Sequence, residues 1–463
     1  MPFIQLPDEP SVEIFYDFYE PFDNHKRTAL FLPPAVSCSA LVMQYVLPKL
    51  PEVTRSFNCL SIDLRGHGRT QSPPRKGNDC FVLATDIAFL LNALQVPSVH
   101  VIANAYVAVP TAFAFALLFP SSVLSLSILG VAPLHSPPSQ LDVVMELLEG
   151  WSQGEDEDWH FDSMTAMLDL AFSASLKDYR NEQRELFDWL ANMWFRRIGP
   201  HRALNCFEVT APILLSAGIK PEELASITCP VLLVQGTDDL MKGLPVAEEI
   251  RDNLTGSKEV SLEIVEGGVC YVGIANLDET APILTKFLVS HLSLTSESTS
   301  IAFPAPPTSH SPEKHAPLTS SAYSRFDSSS PICEEMWQRC NELEGKAFVT
   351  FAEREPEAWE VGGRLKDIRR AKWRFSQRHE YERATTSRRG SVPQMIRSEG
   401  ETTVVTFEEI STPLEDDKPN GFDRRGDGDR MERMWDIAFK SAEESSVKFR
   451  MDTWSWETTT GSN

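Results

Sequence analysis

The stretch between Asp86 and Asp142 contains no Asp, Glu, Lys or Arg, and this feature constrains the fold more than any other. Its apolar run Val101–Phe119 is long enough to cross a membrane. However, Pro110 interrupts the run and no basic cluster flanks it. The strands of a parallel sheet lose their charges in the same way, because helices cover both faces of the sheet. We therefore predict a buried strand, helix and strand rather than a membrane span.

Short apolar runs alternate with longer amphipathic segments from about residue 11 to residue 292. Such alternation is typical of an α/β fold whose mostly parallel sheet is flanked by helices. Between about residues 136 and 226 the alternation stops, and this region predicts a helical cap inserted after a strand. The predicted strands are Val12–Phe18, Thr28–Leu32, Cys59–Ile62, Val99–Ala103, Leu124–Leu129, Val231–Val234 and Val260–Val265, and the predicted helices include Phe81–Leu94, Tyr106–Phe119, Pro245–Asn253 and Leu277–Leu292.

The composition changes sharply after about residue 293. Residues 293–330 are rich in Ser, Pro and Thr, which predicts a disordered linker because such a segment buries too little apolar surface to offset its ordering entropy. Residues 331–463 are highly charged and predict a mostly disordered tail. Short segments around Trp337 and Trp435 are candidate sites for a protein partner, and Ser391, after Arg388-Arg389-Gly390, is a candidate phosphorylation site.

The charge and the cysteines limit the function classes further. A net charge of −23 excludes a protein that binds the phosphate backbone of nucleic acids, since the two would repel. The eight cysteines form no CxxC pair and no zinc spacing, so we expect reduced thiols, no metal and no cofactor. The N-terminus lacks the basic start and apolar run of a signal peptide. We therefore expect a cytoplasmic protein.

Four segments resemble the signatures of the α/β-hydrolase fold family, in the family's order. They are Leu60–Thr70, with the sequence LSIDLRGHGRT, then Val99–Gly130, Cys229–Asp239 and Val265–Asp278, which leads into the last predicted helix. The resemblance covers about 280 residues and does not reach the last 170 or so. It implies an α/β-hydrolase fold with a helical cap, and it implies where a Ser-His-Asp triad would stand.

Aligned on the family's Gly-x-Ser-x-Gly motif, Ala103–Val107 places Ala105 at the serine position. Both glycines of the motif are missing, which predicts that the strained turn has relaxed. The histidine position is taken by Cys270, which would face Asp239, the remaining acid of the triad. A reactive thiolate needs a positive neighbour, so we interpret Cys270 as a small buried thiol rather than a nucleophile.

The resemblance also implies a backbone N–H that stabilises the developing oxyanion after the third strand. Pro33 and Pro34 stand there, and proline has no N–H to donate. His67 is interpreted as a residue that shapes its turn. The remaining candidates for lining the pocket are Ser37, Cys38, Asn104, Tyr106, His135 and Tyr271.

Loss of the serine, the histidine and the oxyanion turn together predicts a catalytically inactive homologue that acts as a small-molecule-binding or scaffold and signalling protein. A small apolar ligand in the cap cavity and a protein partner for the tail would fit this interpretation, by analogy with degenerate members such as the N-myc downstream-regulated group. Two alternatives remain open. One is an enzyme with a non-standard site, either an ester or thioester hydrolase or a non-hydrolytic biosynthetic enzyme. The other is an interaction protein that works through its C-terminal tail.

Overall fold

The computed structural model divides the chain into two units, Met1–Ile368 and Arg369–Asn463. The residues that it describes are 3–7, 9–72, 78–134, 218–239, 243–295, 300–306 and 319–325, isolated positions between 147 and 213, Gln338, and four strands beyond residue 393.

The first unit contains an eight-stranded sheet with the strand order β1-β2-β4-β3-β5-β6-β7-β8. Strand β1 pairs antiparallel with β2, and β2 pairs antiparallel with β4. All other neighbours pair in parallel, as the strand and helix alternation predicts. The strands are β1 Phe3–Leu6, β2 Glu9–Phe18, β3 Arg27–Leu32, β4 Phe57–Ile62, β5 Val99–Asn104, β6 Val123–Leu129, β7 Val231–Gly236 and β8 Val260–Val265.

The helices lie where the pattern predicts them, within two residues at each end. Beyond the predictions, a helical stretch runs from residue 39 to 56 between β3 and β4. The helices are α1 Ser39–Leu41, which continues as a π-helical turn Val42–Val46 and a 3-10 turn Leu47–Lys49, α2 Pro51–Ser56, α3 Cys80–Ala93, α4 Ala105–Leu118, α5 Leu244–Asn253, α6 Val272–Ala275 and α7 Leu277–Ser290, with further 3-10 helices at Pro120–Ser122, Pro221–Ser226 and Ser320–Tyr323.

Burial explains the stretch without charges. Every residue of β5 and β6 is buried, and α4 between them is buried along nearly its whole length. The prediction of buried strand, helix and strand is therefore confirmed. Within the described ranges, no helix is both long enough and apolar enough to cross a membrane.

Most of the predicted cap, residues 136–226, lies outside the described residues. Its described positions include a helical turn at residues 166–168 and the buried Phe172, and the 3-10 helix Pro221–Ser226 ends the region. The cap therefore stays a prediction over most of its length.

The structure differs from the predicted disordered linker at residues 300–306 and 319–325, which we call the C-terminal strap. Ile301 and Tyr323 are buried, and the Phe303 ring stacks on Phe89 of α3 with 4.5 Å between ring centroids. These apolar side chains stand among the Ser and Pro residues and supply the buried surface that the overall composition lacks.

The second unit contains two antiparallel hairpins, formed by β9 Gln394–Ser398 with β10 Glu401–Val405 and by β11 Val447–Arg450 with β12 Ser455–Thr458. The sequence did not predict these strands. Ser391 and the segments around Trp337 and Trp435 lie outside the described residues. Disorder in the rest of the tail stays a prediction.

A buried histidine in β5 makes the stability of the first unit depend on pH. His100 Nδ1 lies 2.8 Å from Ser125 Oγ, and burial, with smaller contributions from His291 and Arg27, lowers the pKa of His100 to about 4. The unfolded chain therefore binds a proton at a higher pH than the native chain does. Stability from this group is complete above the unfolded pKa of about 6.5 and is lost as the pH falls toward 4.

We expect the free energy of unfolding to fall by about 1.5 kcal/mol more between pH 6.5 and pH 5 in the native chain than in His100→Gln. Urea unfolding at both pH values measures this difference. His25→Gln, the same substitution at an exposed position, serves as the matched control. Its free energy of unfolding should change between the two pH values by the same amount as that of the native chain. An equal change in the free energy of unfolding in all three proteins would contradict the prediction.

Candidate functional site

A strained turn joins β5 to α4 at the centre of the sheet. Ala105 has φ 44°, and Tyr106 has φ 41° and ψ −123°, which is not a helical conformation. Non-glycine residues held in such conformations cost about 1–3 kcal/mol each. The expectation that loss of both glycines relaxes the turn is therefore wrong. The parallel strands on either side of β5 and the packing of α4 hold the turn in place.

Tyr106 brings the turn into contact with the other candidate residues. Its phenol shares a hydrogen bond with the Cys270 side chain, and its ring lies 6.1 Å from the Tyr271 ring. The pKa of Tyr106 is raised well above its usual value of 10, mainly by burial and further by Cys270, Tyr271 and Asp239. Tyr106 is nevertheless half-buried rather than fully buried.

Ala105 directly precedes Tyr106, but its side chain forms no hydrogen bond with the residues around Tyr106. It is fully buried, and its Cβ would be 3.5 Å from a Cβ built on Gly130, at the end of β6. The methyl group therefore packs toward the sheet and carries no polar atom.

Asp239 follows β7 and is almost completely buried. The Gln235 side chain orients it, because Nε2 donates to Asp239 Oδ2 at 3.0 Å while Oε1 accepts from the Val131 backbone N–H at 2.9 Å. Sequence reasoning missed Gln235. Its signal was a lone polar residue inside the apolar strand Val-Leu-Leu-Val-Gln-Gly.

The loop that carries Cys270 and Tyr271 is fixed from several sides. Tyr271 Oη donates to the Ala35 carbonyl oxygen at 3.1 Å, and Tyr271 N–H donates to the Ala171 carbonyl oxygen at 3.0 Å. Burial raises the pKa of Tyr271 well above 10, with a smaller contribution from Cys270. Tyr271 thus joins the loop to the chain after β3 and to a residue of the predicted cap.

The chain after β3 is buried from Pro33 through Ala40. Within the described part of the protein, the Ser37 hydroxyl and the Asn104 Oδ1 are buried without a hydrogen-bond partner. Cys38 is also buried. Asp63, which sequence reasoning missed, holds this loop by accepting from Ser39 N–H at 2.6 Å.

His67 stands in a turn after β4, as interpreted. Its Nδ1 lies 2.8 Å from the Arg65 carbonyl oxygen, and its backbone N–H donates to the Leu64 carbonyl oxygen. Burial lowers the pKa of His67, which keeps the ring neutral. His135, another pocket candidate, lies outside the described residues. The structure therefore brings together Asn104, Tyr106, Asp239, Cys270 and Tyr271, with Ser37 and Cys38 in the neighbouring loop.

The parallel sheet, the strained strand-to-helix turn and the acid after β7 define an α/β-hydrolase fold. Consistent with this, residues 37–263 match the model of the alpha/beta hydrolase fold family. No curated protein sequence matches the chain. In the described ranges, no three His, Cys, Asp or Glu side chains are arranged to hold a metal ion.

Several solved esterase structures are similar to the chain. The esterase EaEST from Exiguobacterium antarcticum is 17% identical, with 62% of this chain and 98% of that chain covered and a TM-score of 0.50. A thermophilic esterase from Thermogutta terrifontis is 16% identical, with 63% and 98% covered and a TM-score of 0.49. The esterase RhEst1 from Rhodococcus sp. ECU1013 is 16% identical, with 64% and 100% covered and a TM-score of 0.49. At these identities the similarity concerns the fold alone.

Proposed function

We propose that the chain is a catalytically inactive homologue of the α/β hydrolases that works as a binding or scaffold protein. One observation carries the proposal: a half-buried tyrosine, Tyr106, stands on the strained turn, shares a hydrogen bond with Cys270 and has its pKa raised by Asp239. In a serine hydrolase of this fold, the nucleophile stands on that turn.

The conformation of the turn favours Tyr106 over Ala105 as the residue at the nucleophile position. Tyr106 is the non-helical residue directly before the regular part of α4, its side chain shares a hydrogen bond with Cys270, and Asp239 contributes to raising its pKa. The sequence alignment placed Ala105 there, one residue earlier. With either assignment, no serine occupies the position.

The chemistry of the three side chains argues against acyl transfer. A phenol attacks a carbonyl only as a phenolate, and the raised pKa of Tyr106 keeps it protonated at neutral pH. A serine hydrolase uses an imidazole to accept the proton of its nucleophile, and Cys270 stands in that place. The Tyr106 and Tyr271 phenols interact with Cys270, and neither is the positive neighbour that a reactive thiolate needs.

The same geometry supports binding of a small, mostly apolar ligand. Tyr106 is half-buried, and Ser37 and Asn104 offer buried polar atoms that have no partner within the described residues. Ser37 follows the segment that Tyr271 contacts, and Asn104 precedes the strained turn. A ligand with one polar group would satisfy such an atom, and an unsatisfied buried polar atom costs about 1–3 kcal/mol.

Two reagents test the absence of catalysis in the purified full chain: a fluorophosphonate probe and short p-nitrophenyl esters. We expect neither labelling nor turnover above that of the Tyr106→Phe and Cys270→Ala variants, because no activated nucleophile is present. Labelling or turnover in the native chain that either substitution abolishes would refute the proposal and favour an enzyme with a non-standard site. Cys229→Ala, at a half-buried cysteine before β7, is the matched thiol control.

A pair of double variants tests which residue stands at the nucleophile position. Tyr106→Ser with Cys270→His places a serine and a histidine beside Asp239, whereas Ala105→Ser with Cys270→His places the serine against Gly130. We expect fluorophosphonate labelling of the first pair and none of the second. Labelling of the second pair alone would restore the assignment to Ala105.

A ligand screen by thermal shift, with Tyr106→Ala as the comparison, then identifies pocket ligands, because a ligand of the native state raises its stability.

A further inference from the structure

One buried carboxylate connects the C-terminal strap to the hydrolase-fold domain. Asp79 caps α3, since its Oδ1 accepts from the backbone N–H groups of Phe81 and Val82, each at 3.0 Å. Its Oδ2 accepts from the Ser324 hydroxyl at 3.0 Å and from the Arg325 backbone N–H at 2.6 Å. The start of α3 and the attachment of the strap therefore depend on the same charge.

The residues around Asp79 extend this attachment to the end of the predicted cap. The Arg325 guanidinium lies over the Phe81 ring, 3.9 Å from its centroid, and Nη1 lies 2.8 Å from Glu223 Oε1. Glu223 belongs to the 3-10 helix Pro221–Ser226, which ends the predicted cap region. The strap thus bridges the beginning of α3 and the segment through which the chain returns from the cap to β7.

Aromatic contacts hold the other half of the strap. Phe303 packs against Phe89 of α3 and, edge to face, against Phe119 at 5.5 Å between centroids. Tyr323 is fully buried, and its hydroxyl donates to the Pro304 carbonyl oxygen at 2.6 Å. Detachment of the strap would expose the aromatic face formed by Phe89 of α3 and Phe119 just after α4, the kind of surface that binds a partner protein.

We propose that Ser324 is a regulatory phosphorylation site, and that a phosphoryl group there releases the strap from Asp79 and uncovers the aromatic face. A protein kinase would supply the group from ATP. The Ser324 oxygen forms a bond to the γ-phosphorus, the bond from that phosphorus to the oxygen of ADP breaks, and the hydroxyl proton passes to the base of the kinase.

The charge change gives the mechanism of release. A phosphoserine carries about −1.5 to −2 charges at neutral pH, and Ser324 as a hydroxyl donates to a buried carboxylate. Phosphorylation removes that donor and places a dianion against Asp79, where burial weakens the screening of the repulsion. Ser324 is half-exposed, whereas the neighbouring Ser320 is buried. A kinase that captures the detached strap would trap it in that state, because the modified serine binds Asp79 poorly.

Hydrogen exchange of the full chain tests the proposal, with phosphoserine incorporated at position 324 and with Ser324→Asp. We expect amides in both halves of the strap to lose protection by about tenfold or more, in line with a local rather than global opening. Ala322→Asp adds the same charge at an exposed strap position and is the matched control, with no change expected. Ser324→Ala removes one hydrogen bond without adding charge and should lose less protection than Ser324→Asp.

A second variant separates charge repulsion from simple damage to the strap. Asp79→Asn combined with Ser324→Asp keeps a side chain that caps helices well and removes the repulsion. We expect this pair to regain protection relative to Ser324→Asp alone. The proposal is overturned if the phosphoserine protein exchanges like the native chain, if Ser324→Asp equals Ser324→Ala, or if Asp79→Asn restores nothing.

Discussion

Replacing Asp86 with alanine is expected to lower the free energy of unfolding by about 3–5 kcal/mol. Arg65 is fully buried, and its Nε and Nη2 donate to Asp86 Oδ2 and Oδ1 at 2.6 and 2.8 Å. Without the carboxylate, a buried guanidinium loses the charge and the two hydrogen bonds of Asp86, and the turn after β4 loses this connection to α3. Urea unfolding followed by linear extrapolation measures the loss.

Two further variants show whether burial is the cause. Asp278→Ala removes the partner of Lys49 in a surface ion pair of 3.7 Å and should cost less than about 1 kcal/mol. The pair Arg65→Met with Asp86→Leu removes both charges and should recover most of the loss from Asp86→Ala. A loss in Asp86→Ala no larger than in Asp278→Ala would show that the buried pair does not support the fold.

The second large effect is expected at Gly130, which follows β6 beside the candidate site. Its φ is +77°, and a Cβ built there lies 2.4 Å from the Cys270 carbonyl oxygen. Gly130→Ala therefore adds both a left-handed backbone cost and a clash with backbone, for a loss of about 3 kcal/mol in the free energy of unfolding. The clash also displaces the loop of Cys270, so this buried thiol should react faster with an aromatic disulfide reagent.

Gly267→Ala is the matched control, because Gly267 has φ +66° but no atom lies within 4 Å of the position that its new methyl group would take. This variant carries the backbone cost alone, about 1–2 kcal/mol, and should leave the reactivity of Cys270 unchanged. The Cys270→Ala substitution in each background assigns the reacting thiol. Equal losses of stability in the two glycine variants would contradict a clash at Gly130.

The fold could be predicted because its signals are local. The stretch without charges, the periodicity of the apolar runs and four signature segments each depend on neighbouring residues, and they place β2 to β8 and the main helices correctly. The strap could not be predicted in this way. Its Phe303 and Tyr323 are isolated among Ser and Pro residues, and the partners of Phe303 on α3 and just after α4 are distant in sequence.

The candidate site was predicted only in part for a related reason. The sequence identified Asp239, Cys270 and Tyr271, since each follows a recognisable strand. It assigned the serine position to Ala105 and gave Tyr106 only as a pocket candidate, because the glycines of the motif are missing and only the backbone angles separate the two residues. Gln235 orients Asp239 through a contact with Val131, far away in the chain, which no local pattern indicates.

The strap also determines the order in which the domain can be completed during synthesis. Phe89 leaves the ribosome about 200 residues before Phe303, which at typical elongation rates corresponds to about 10–40 s. During that interval the sheet can form while the aromatic face of α3 has no cover. The nascent chain therefore exposes an apolar surface on α3 that the strap covers only later, so chaperone contact at α3 would be most valuable before residue 325 emerges.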